Sequence, residues 1–598
     1  MKLISSFYEI TKRKKIYELV VPLLLLVVGM VVLFLRNPDP LINPVMYAED
    51  GTWSALALRE GWWHALINSR DDYFVFINTL ILFLSSKISL LFSGNPLALL
   101  PQAIAVTSFL FFSGVATLSF LTVRRVSSSA LGVVAFFAVI FIPLGTSQNE
   151  IIGRALQVGF YMPLIAVLLL FWRDRVTALY KIALIDFLLL LCAATNPFVF
   201  AVCFLYLSIE FLKGFNIRSL LLRSVSLVAP LTILLFFLLP RMGSAGGIQS
   251  GFFIGSLVEV LIARSITYPF LFPWYGSISD ATALIAFSLL VGFVVVSYFR
   301  SVNENARSFI LLLSLTVIFY SVATVVMRPG LTLLLSNYKT TFPDRYFMGI
   351  NVLVVLLFII CAGQIVSCKK LKFLGISFLI AFISLYFYGY SYIFEWSSPG
   401  LPIKSQLDFS EQMCASTTVD ETSNSSIPIY PYAWRMIVPS KYIDKENCMR
   451  ISNSRSGFVS HAQGIATYTN DLAILDSLGS YKTTGVRPFV IYKLSSPVQP
   501  KYAEKLLLDL KCANSPDNEK IQVQVFWATK ASDFSEKNSV AFPANQGITS
   551  IDIAKLSSWI PRQEITDIRI GLFSPNDCPL LSIRSIELGV DAISNNLL

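Results

Sequence analysis

Two rhythms divide the chain. Up to about residue 395 it consists of long apolar blocks broken by short polar stretches. The blocks near 16–35, 97–121, 130–145, 158–172, 179–194, 197–212, 220–239, 282–299, 308–327, 346–366 and 373–393 each suit a membrane-spanning helix, about eleven in all. A further stretch, "YFVFINTLILFLSSKISLLF" at 73–92, is long enough to cross, but Lys87 and its serines suit a helix lying at the interface. After residue 395 the composition turns to Ser, Asn, Asp, Pro and Lys. There "KIQVQVFWAT" (520–529), "ITDIRIGLF" (565–573) and "LSIRSIELGV" (581–590) alternate apolar and polar residues with period two. The pattern predicts a polytopic α-helical membrane protein with a C-terminal, jelly-roll-like β-sandwich. Residues 1–394 form the membrane part, 395–463 an irregular connector and 464–598 the sandwich.

Charge orients these blocks. The basic clusters at 12–15, 124–125, 173–181, 213–223, 300–307 and 369–372 fall on one side when the eleven blocks alternate, and counting 73–92 as a span would invert every later cluster. The expected topology has the N-terminus inside and everything after 395 outside. The start, "KRKKIYELVVPLLLLVVGMVVLFLRNPDP", has the basic flank of a signal sequence but no small-residue cleavage site, so it reads as a retained helix. Composition agrees: of 598 residues, 55% are hydrophobic and 14% charged, and the mean hydropathy is +0.65, which excludes an ordinary soluble protein. The net charge of +10 sits mostly between apolar blocks as a topology signal, and no nucleic-acid site is read from it.

Cysteine usage follows the same sidedness. Cys192, Cys203, Cys361 and Cys368 lie in or beside spans and read as unpaired thiols. Cys414, Cys448, Cys512 and Cys578 all lie in the exported region, where disulfides form. Of the three connectivities open to four cysteines, Cys414–Cys448 with Cys512–Cys578 keeps each bond within one unit. No cysteine has metal-site spacing, and with His64 and His461 as the only histidines a zinc site is not expected.

The external loops carry the candidate chemistry. In "YAEDGTW" (47–53), Glu49 and Asp50 stand side by side just ahead of Trp53, and Trp62 and His64 follow in the same loop. Carboxylates bind sugar hydroxyls and accept a proton, while indole faces stack on sugar rings. The plainer readings are a solvated turn for the pair, an interfacial belt for Trp62 and Trp63, and a helix cap for Asp71 and Asp72. Cations are also kept on the outer side: Arg154 in "SQNEIIGRALQ", Arg241, Arg264, Arg328, Lys339, and Arg345 in "FPDRYF". Singly each suits a snorkelling residue or a loop ion pair; together, Arg154, Arg328, Lys339 and Arg345 suit an anionic lipid head group. Tyr346 joins Trp53, Trp62 and His64 as a candidate contact for an acceptor sugar.

An acidic pair in the first external loop, a juxtamembrane helix, a span opening after "SGNP", many further spans and an exported β-domain together resemble the GT-C superfamily of integral-membrane glycosyltransferases. Within it the chain looks most like bacterial enzymes that modify O-antigen or other envelope polysaccharides. The resemblance spans nearly the whole chain in architecture, while its chemical motif is two residues long. It implies a polyprenyl-phosphate-linked sugar as donor, a periplasmic polysaccharide or lipid-linked glycan as acceptor, and inverting transfer of a hexose such as glucose. It also implies a carboxylate base at Glu49 or Asp50, with a divalent metal compatible but not demanded. Members often carry Asp then Glu, and this chain has the reverse order; the superfamily's habit of using the first acid points to Glu49. The implied location is the bacterial inner membrane with the C-terminal domain in the periplasm, in keeping with a lone clear "NSS" sequon at Asn424 in the exported region. A transporter or flippase of lipid-linked sugars is the competing reading. It calls for ionisable residues at mid-membrane, where these spans are nearly free of charge.

Overall fold

The computed structural model describes residues 2–393 except 43, 71–72, 146–147, 214–216, 243–252, 302, 336 and 342. Beyond these it describes 409–414, 417–418, 424–429, 434–443, 460–461, and 466–589 except 477–478, 499–502, 504, 514–520, 530–532, 554–563 and 574–577. The chain divides into two units, Met1–Gly400 and Leu401–Leu598.

The first unit is helical. Among the described residues, eight helices are long and apolar enough to cross a membrane: Phe76–Ser93, Leu100–Val126, Leu156–Arg173, Ser224–Arg241, Ile254–Ser277, Asp280–Arg300, Glu304–Met327 and Met348–Ser367. Val20–Arg36, Ser129–Ile140, Phe198–Leu212 and Lys372–Tyr388 are shorter apolar helices, and Leu179–Thr195 is another helix. The helix Met348–Ser367, apolar on every side, is buried along almost its whole length against Ser129–Ile140, Met162–Arg173, Asp280–Arg300, Glu304–Met327 and Lys372–Tyr388. Gly349 permits its close approach, since a Cβ there would lie 2.2 Å from the Phe160 carbonyl oxygen.

Hydrogen bonds sort the helix ends into two levels. At one level, Arg36 donates to the carbonyls of Ile140 (2.6 Å) and Ile142 (2.7 Å) and to Gln148 Oε1 (2.9 Å). Asn37 donates there to Ile152 O (3.1 Å), Ser108 to Arg154 O (3.0 Å), Asn196 to Gly159 O (3.0 Å) and Tyr320 to Phe160 O (3.2 Å). At the other level, Trp172 donates to Thr122 (3.0 Å), while Ser301 and the Val126 carbonyl meet Gln364 at 3.0 and 3.5 Å. Arg124, Arg125, Arg173, Arg300 and Arg307 lie at or near the ends that form this second level. The helix Phe76–Ser93 bonds with Thr195, Ala155, Leu156 and Thr107, all at or next to the first level.

Two expectations need correction. Residues 240–281, which the expected spans 220–239 and 282–299 leave between them as an external loop, contain the helical segment Ile254–Ser277, with a π-helix at Val258–Thr267. Glu259 and Arg264 interrupt the apolar run, yet both are satisfied within the protein. Glu259 accepts from Tyr275 (3.1 Å) and the Tyr338 N–H (3.0 Å); Arg264 pairs with Asp344 and donates to Thr341 O (3.2 Å) and Asn351 Oδ1 (3.1 Å). The connector, read as irregular, holds a three-stranded antiparallel sheet, Thr417–Thr418, Asn424–Ile429 and Trp434–Pro439. Prolines within or at the ends of its short strands hide the period-two signal.

The rest of the second unit is two antiparallel sheets sharing one core that includes Val490, Leu508, Val525, Trp527, Ile568 and Ile583. One sheet runs Ser539–Ala544, Ile521–Thr529, Ile565–Leu572, Phe489–Val498, Tyr468–Asn470. The other runs Gly547–Asp552, Lys505–Ala513, Leu580–Gly589, Ser480–Thr483, Leu472–Ile474, and Ser460–His461 also pairs with its Leu580–Gly589 strand. Cys512 and Cys578 form a disulfide beside neighbouring strands of the second sheet, with Cα atoms 5.5 Å apart. The expected Cys414–Cys448 bond lies outside the described residues. Cys192, Cys203, Cys361 and Cys368 are free thiols.

Candidate functional site

The "YAEDGTW" stretch opens the helix Ala48–Glu60. Tyr47 is extended, and Ala48 then takes φ 35°, a left-handed conformation that costs an alanine about 1–2 kcal/mol. This kink puts Glu49 and Asp50 in the helix's first turn, where the macrodipole favours negative charge. Asp50 is 1% exposed; its Oδ2 accepts the Ala155 N–H at 3.0 Å, and its Oδ1 has no partner. Burial pushes its carboxyl up to about 7, against the pull of the Arg154 guanidinium and the backbone N–H donors. Arg154 itself donates to Val45 O at 2.8 Å and lies 5.2 Å over the Tyr47 ring.

A third carboxylate stands close by. Glu150, in the short helix Gln148–Ile151, is buried and ion-paired with Arg345. Burial raises its proton affinity, and Arg345 and the Tyr47 hydroxyl offset part of that rise. Half-buried Glu49 is near enough to raise the proton affinity of both Asp50 and Glu150. Arg345 and Arg328 face the Tyr346 ring at 5.1 and 4.3 Å, and Tyr346 packs edge-on against Phe160 at 5.4 Å. Three chain segments far apart in sequence thus bring Glu49, Asp50, Glu150, Arg154, Arg328, Arg345 and Tyr346 into one group. Gly145 helps to join them: at φ 60° it sits where a Cβ would come 2.1 Å from Thr341 Oγ1 and 2.6 Å from Asp344 Oδ1.

The other sequence candidates interact elsewhere. Trp53 is buried, its indole N–H donating to Ser69 O at 3.1 Å, so its role here is to tie the helix to the next loop. Trp62 packs edge-on against Phe83, and His64 lies 2.8 Å from Glu60 and 3.1 Å from Asn68. Lys339 is exposed, next to Tyr338, whose hydroxyl donates to Asp280 at 2.6 Å. Arg264 is taken up by Asp344, and Arg241 donates to Ile67 O at 2.7 Å. The cap assigned to Asp71 and Asp72 lies outside the described residues.

Sequence reasoning passed over Glu150, Asn78 and Gln157. Asn78 donates to the carbonyls of Ala155 (2.7 Å) and Leu156 (2.9 Å). Fully buried Gln157 has no partner for either amide atom, and Ser54 Oγ, Asn78 Oδ1 and Thr79 Oγ1 are likewise buried without partners. For Glu150 the available signal was an acid four residues ahead of Arg154 in "NEIIGR", although in the fold it pairs with Arg345 instead. Among the described residues, no three His, Cys, Asp or Glu side chains are grouped to hold a metal ion, so no metal-assisted step is derived.

No family model matches the chain, and no curated protein is significantly similar to it. Among solved structures, it is similar to a low-affinity xylan-binding module, CBM86, from the xylanolytic gut symbiont Roseburia intestinalis. The identity is 15% and the TM-score 0.17, over 23% of this chain and 96% of that one. The chemistry of the site is therefore read from its own residues.

Proposed function

We propose that the protein is a membrane-embedded glycosyltransferase that moves a hexose, such as glucose, from a polyprenyl-phosphate donor to a periplasmic glycan such as O-antigen, with inversion at the anomeric carbon. The observation that carries this reading is the junction of buried Asp50 with Glu49, Glu150, Arg154, Arg328 and Arg345 at one level of the helix bundle. Asp50 is the better base of the pair. It has a free oxygen and a proton affinity tuned near neutrality, whereas Glu49 is half-buried and suits an acceptor contact. Asp50 takes the proton from the acceptor hydroxyl as that oxygen bonds to the anomeric carbon. The bond from that carbon to the donor phosphate breaks, and its electron pair leaves on the polyprenyl phosphate, whose charge Arg345 and Arg328 offset. A phosphate leaving group needs little acid assistance.

The eleven-span, N-inside topology, in which neither Phe76–Ser93 nor Ile254–Ser277 crosses, belongs to this proposal. It is supported by the two levels of helix ends, by the basic residues near one of them, and by the confinement of Phe76–Ser93's polar partners to the other. The C-terminal unit is then periplasmic, which suits its disulfide. The transporter reading draws on Asp186, buried within Leu179–Thr195. Arg173 donates to it at 2.5 and 3.1 Å and Ser226 at 2.6 Å, a saturated arrangement that suits a structural tie.

Purified protein incubated with a panel of radiolabelled polyprenyl-phosphate sugars and a lipopolysaccharide acceptor tests the reading. The expected result is label moving from lipid to glycan, abolished in Asp50→Asn. Retention of label on every donor lipid, or full activity of that variant, refutes it.

A further inference from the structure

A single turn holds the Asp50 carboxylate, and side chains from two other helices hold that turn: Ser108 donates to Arg154 O at 3.0 Å, and Asn78 bonds it twice. The Ala155 N–H donates to Asp50 Oδ2 at 3.0 Å, and the Leu156 N–H also lowers the carboxyl's proton affinity. The carbonyls of the same two residues both accept from Asn78 Nδ2, at 2.7 and 2.9 Å. Asn78 is 2% exposed and stands in the first turn of Phe76–Ser93, whose start is pinned where the Ile77 N–H meets Thr195 Oγ1 at 3.0 Å. The inner face of that helix carries Asn78, Thr79, Ser85, Ser86 and Ser89 beside Ile81 and Leu82, while Leu80, Leu84, Leu91 and Phe92 are exposed with Lys87. Its outer face suits lipid, while its inner face reaches the turn beneath Asp50.

We propose that Asn78 is a positioning residue for Asp50: by clamping the Ala155 and Leu156 carbonyls it fixes the two peptide planes that flank Leu156, the first of which carries the Leu156 N–H, and so holds the turn that faces the carboxylate; a lipid-facing helix thereby sets the geometry of the base. Its consequence for transfer rests on the glycosyltransferase reading; the clamp itself does not. An amide nitrogen carries two hydrogens, and here each has a carbonyl, so Ala at position 78 removes both bonds and Ser retains at most one. The charged groups facing Asp50 are Arg154, which attracts, and Glu49, which repels. Glu150 lies beyond them, tied to Arg345. Lys87, the one titratable group of Phe76–Ser93, sits over the Phe83 ring, and His64 of the neighbouring helix is held by Glu60. None of these is altered by Asn78→Ala, so a changed titration of Asp50 reports the turn.

Infrared titration of the full-length purified protein, with the Asp50 carboxyl band assigned by its loss in Asp50→Asn, reads the clamp without any enzymatic activity. The wild-type midpoint is expected near the neutral value of about 7. Asn78→Ala should raise it by about one pH unit, the scale of one hydrogen bond to a carboxylate, and Asn78→Ser by less. The acid limb of the transfer rate should rise by the same amount with the donor KM unchanged. A folded Asn78→Ala protein whose carboxyl titrates as in the wild type overturns the proposal, and so does a rate lowered equally at every pH, which is the mark of merely structural damage. If Asn78→Ala does not fold, Asn78→Ser decides by the same criteria. A shifted band in a protein that transfers no sugar removes the glycosyltransferase reading and leaves the clamp standing.

Discussion

Replacing Asp50 by Asn should give a more stable and catalytically dead protein, and the gain should grow with pH. The carboxyl titrates at about 7 in the folded chain against 3.8 in an unperturbed one, because it is buried. Between those values the folded chain keeps a proton that the unfolded chain has released. The stability tied to this group is therefore complete below about pH 4, falls through the window, and is fully lost above about pH 7. Three units at about 1.4 kcal/mol each amount to about 4 kcal/mol. Asn is neutral throughout and its side-chain carbonyl can still accept the Ala155 N–H, so the variant escapes this loss. Between about pH 5 and pH 8 it should gain roughly 3 kcal/mol on the wild type. Thermal unfolding in detergent at constant ionic strength, run for both proteins across that range, measures the difference. Transfer should meanwhile fall by ~100-fold or more, the usual effect of losing a general base. Unfolding curves that stay parallel across pH would show that Asp50 is not buried as a neutral acid, and the argument for its role as base would fail.

Three further outcomes are expected. Cys512→Ser with Cys578→Ser opens a loop of 66 residues and should cost about 4 kcal/mol, read as a drop in the unfolding temperature of the C-terminal unit; an unchanged transition refutes it. Arg345→Ala leaves buried Glu150 without its partner and should destabilise by about 3 kcal/mol while raising the donor KM; adding Glu150→Gln should restore stability but not the KM, and recovery of both would remove Arg345 from the donor site. Trp53→Phe loses the bond to Ser69 and should cost about 1 kcal/mol with unchanged KM values, whereas a selective rise in acceptor KM would make Trp53 a sugar contact.

Long apolar blocks are legible in a sequence because lipid cannot hydrogen-bond a polar interruption, and so the helical unit could be read from its runs alone. The same rule misled at Glu259 and Arg264. An interruption inside a run looks identical whether it ends the helix or finds Tyr275, Tyr338 and Asp344 elsewhere in the fold. The cations could be named from their side of the chain, but not their partners. Arg154 attracts Asp50, Arg345 pairs with Glu150, Arg264 is consumed in an ion pair with Asp344, and Lys339 stays exposed, distinctions carried entirely by tertiary contacts. Asn78 was hidden among apolar neighbours in "YFVFINTL", because one amide at a helix start carries no periodic signal. The strands at 565–572 and 580–589 and the first half of 521–529 were visible because one face lies on a core and the other is more open, whereas Val525–Thr529 is buried on both faces.

Arg36 imposes an order on how this protein is made. Its guanidinium is almost wholly enclosed and is satisfied by the carbonyls of Ile140 and Ile142 and by Gln148, groups 104 to 112 residues further along. A ribosome adding about 5–20 residues per second delivers them roughly 5–20 seconds after Arg36 has emerged. Throughout that interval the first helix ends in a charge with no protein acceptor and must keep it in the head-group region, where water and lipid phosphate serve in their place. The first helix therefore reaches its final depth only after the helix Ser129–Ile140 has been inserted beside it. Damage at Arg36 should accordingly appear as a loss of assembled protein during biogenesis, while the molecules that do mature retain a normal active centre.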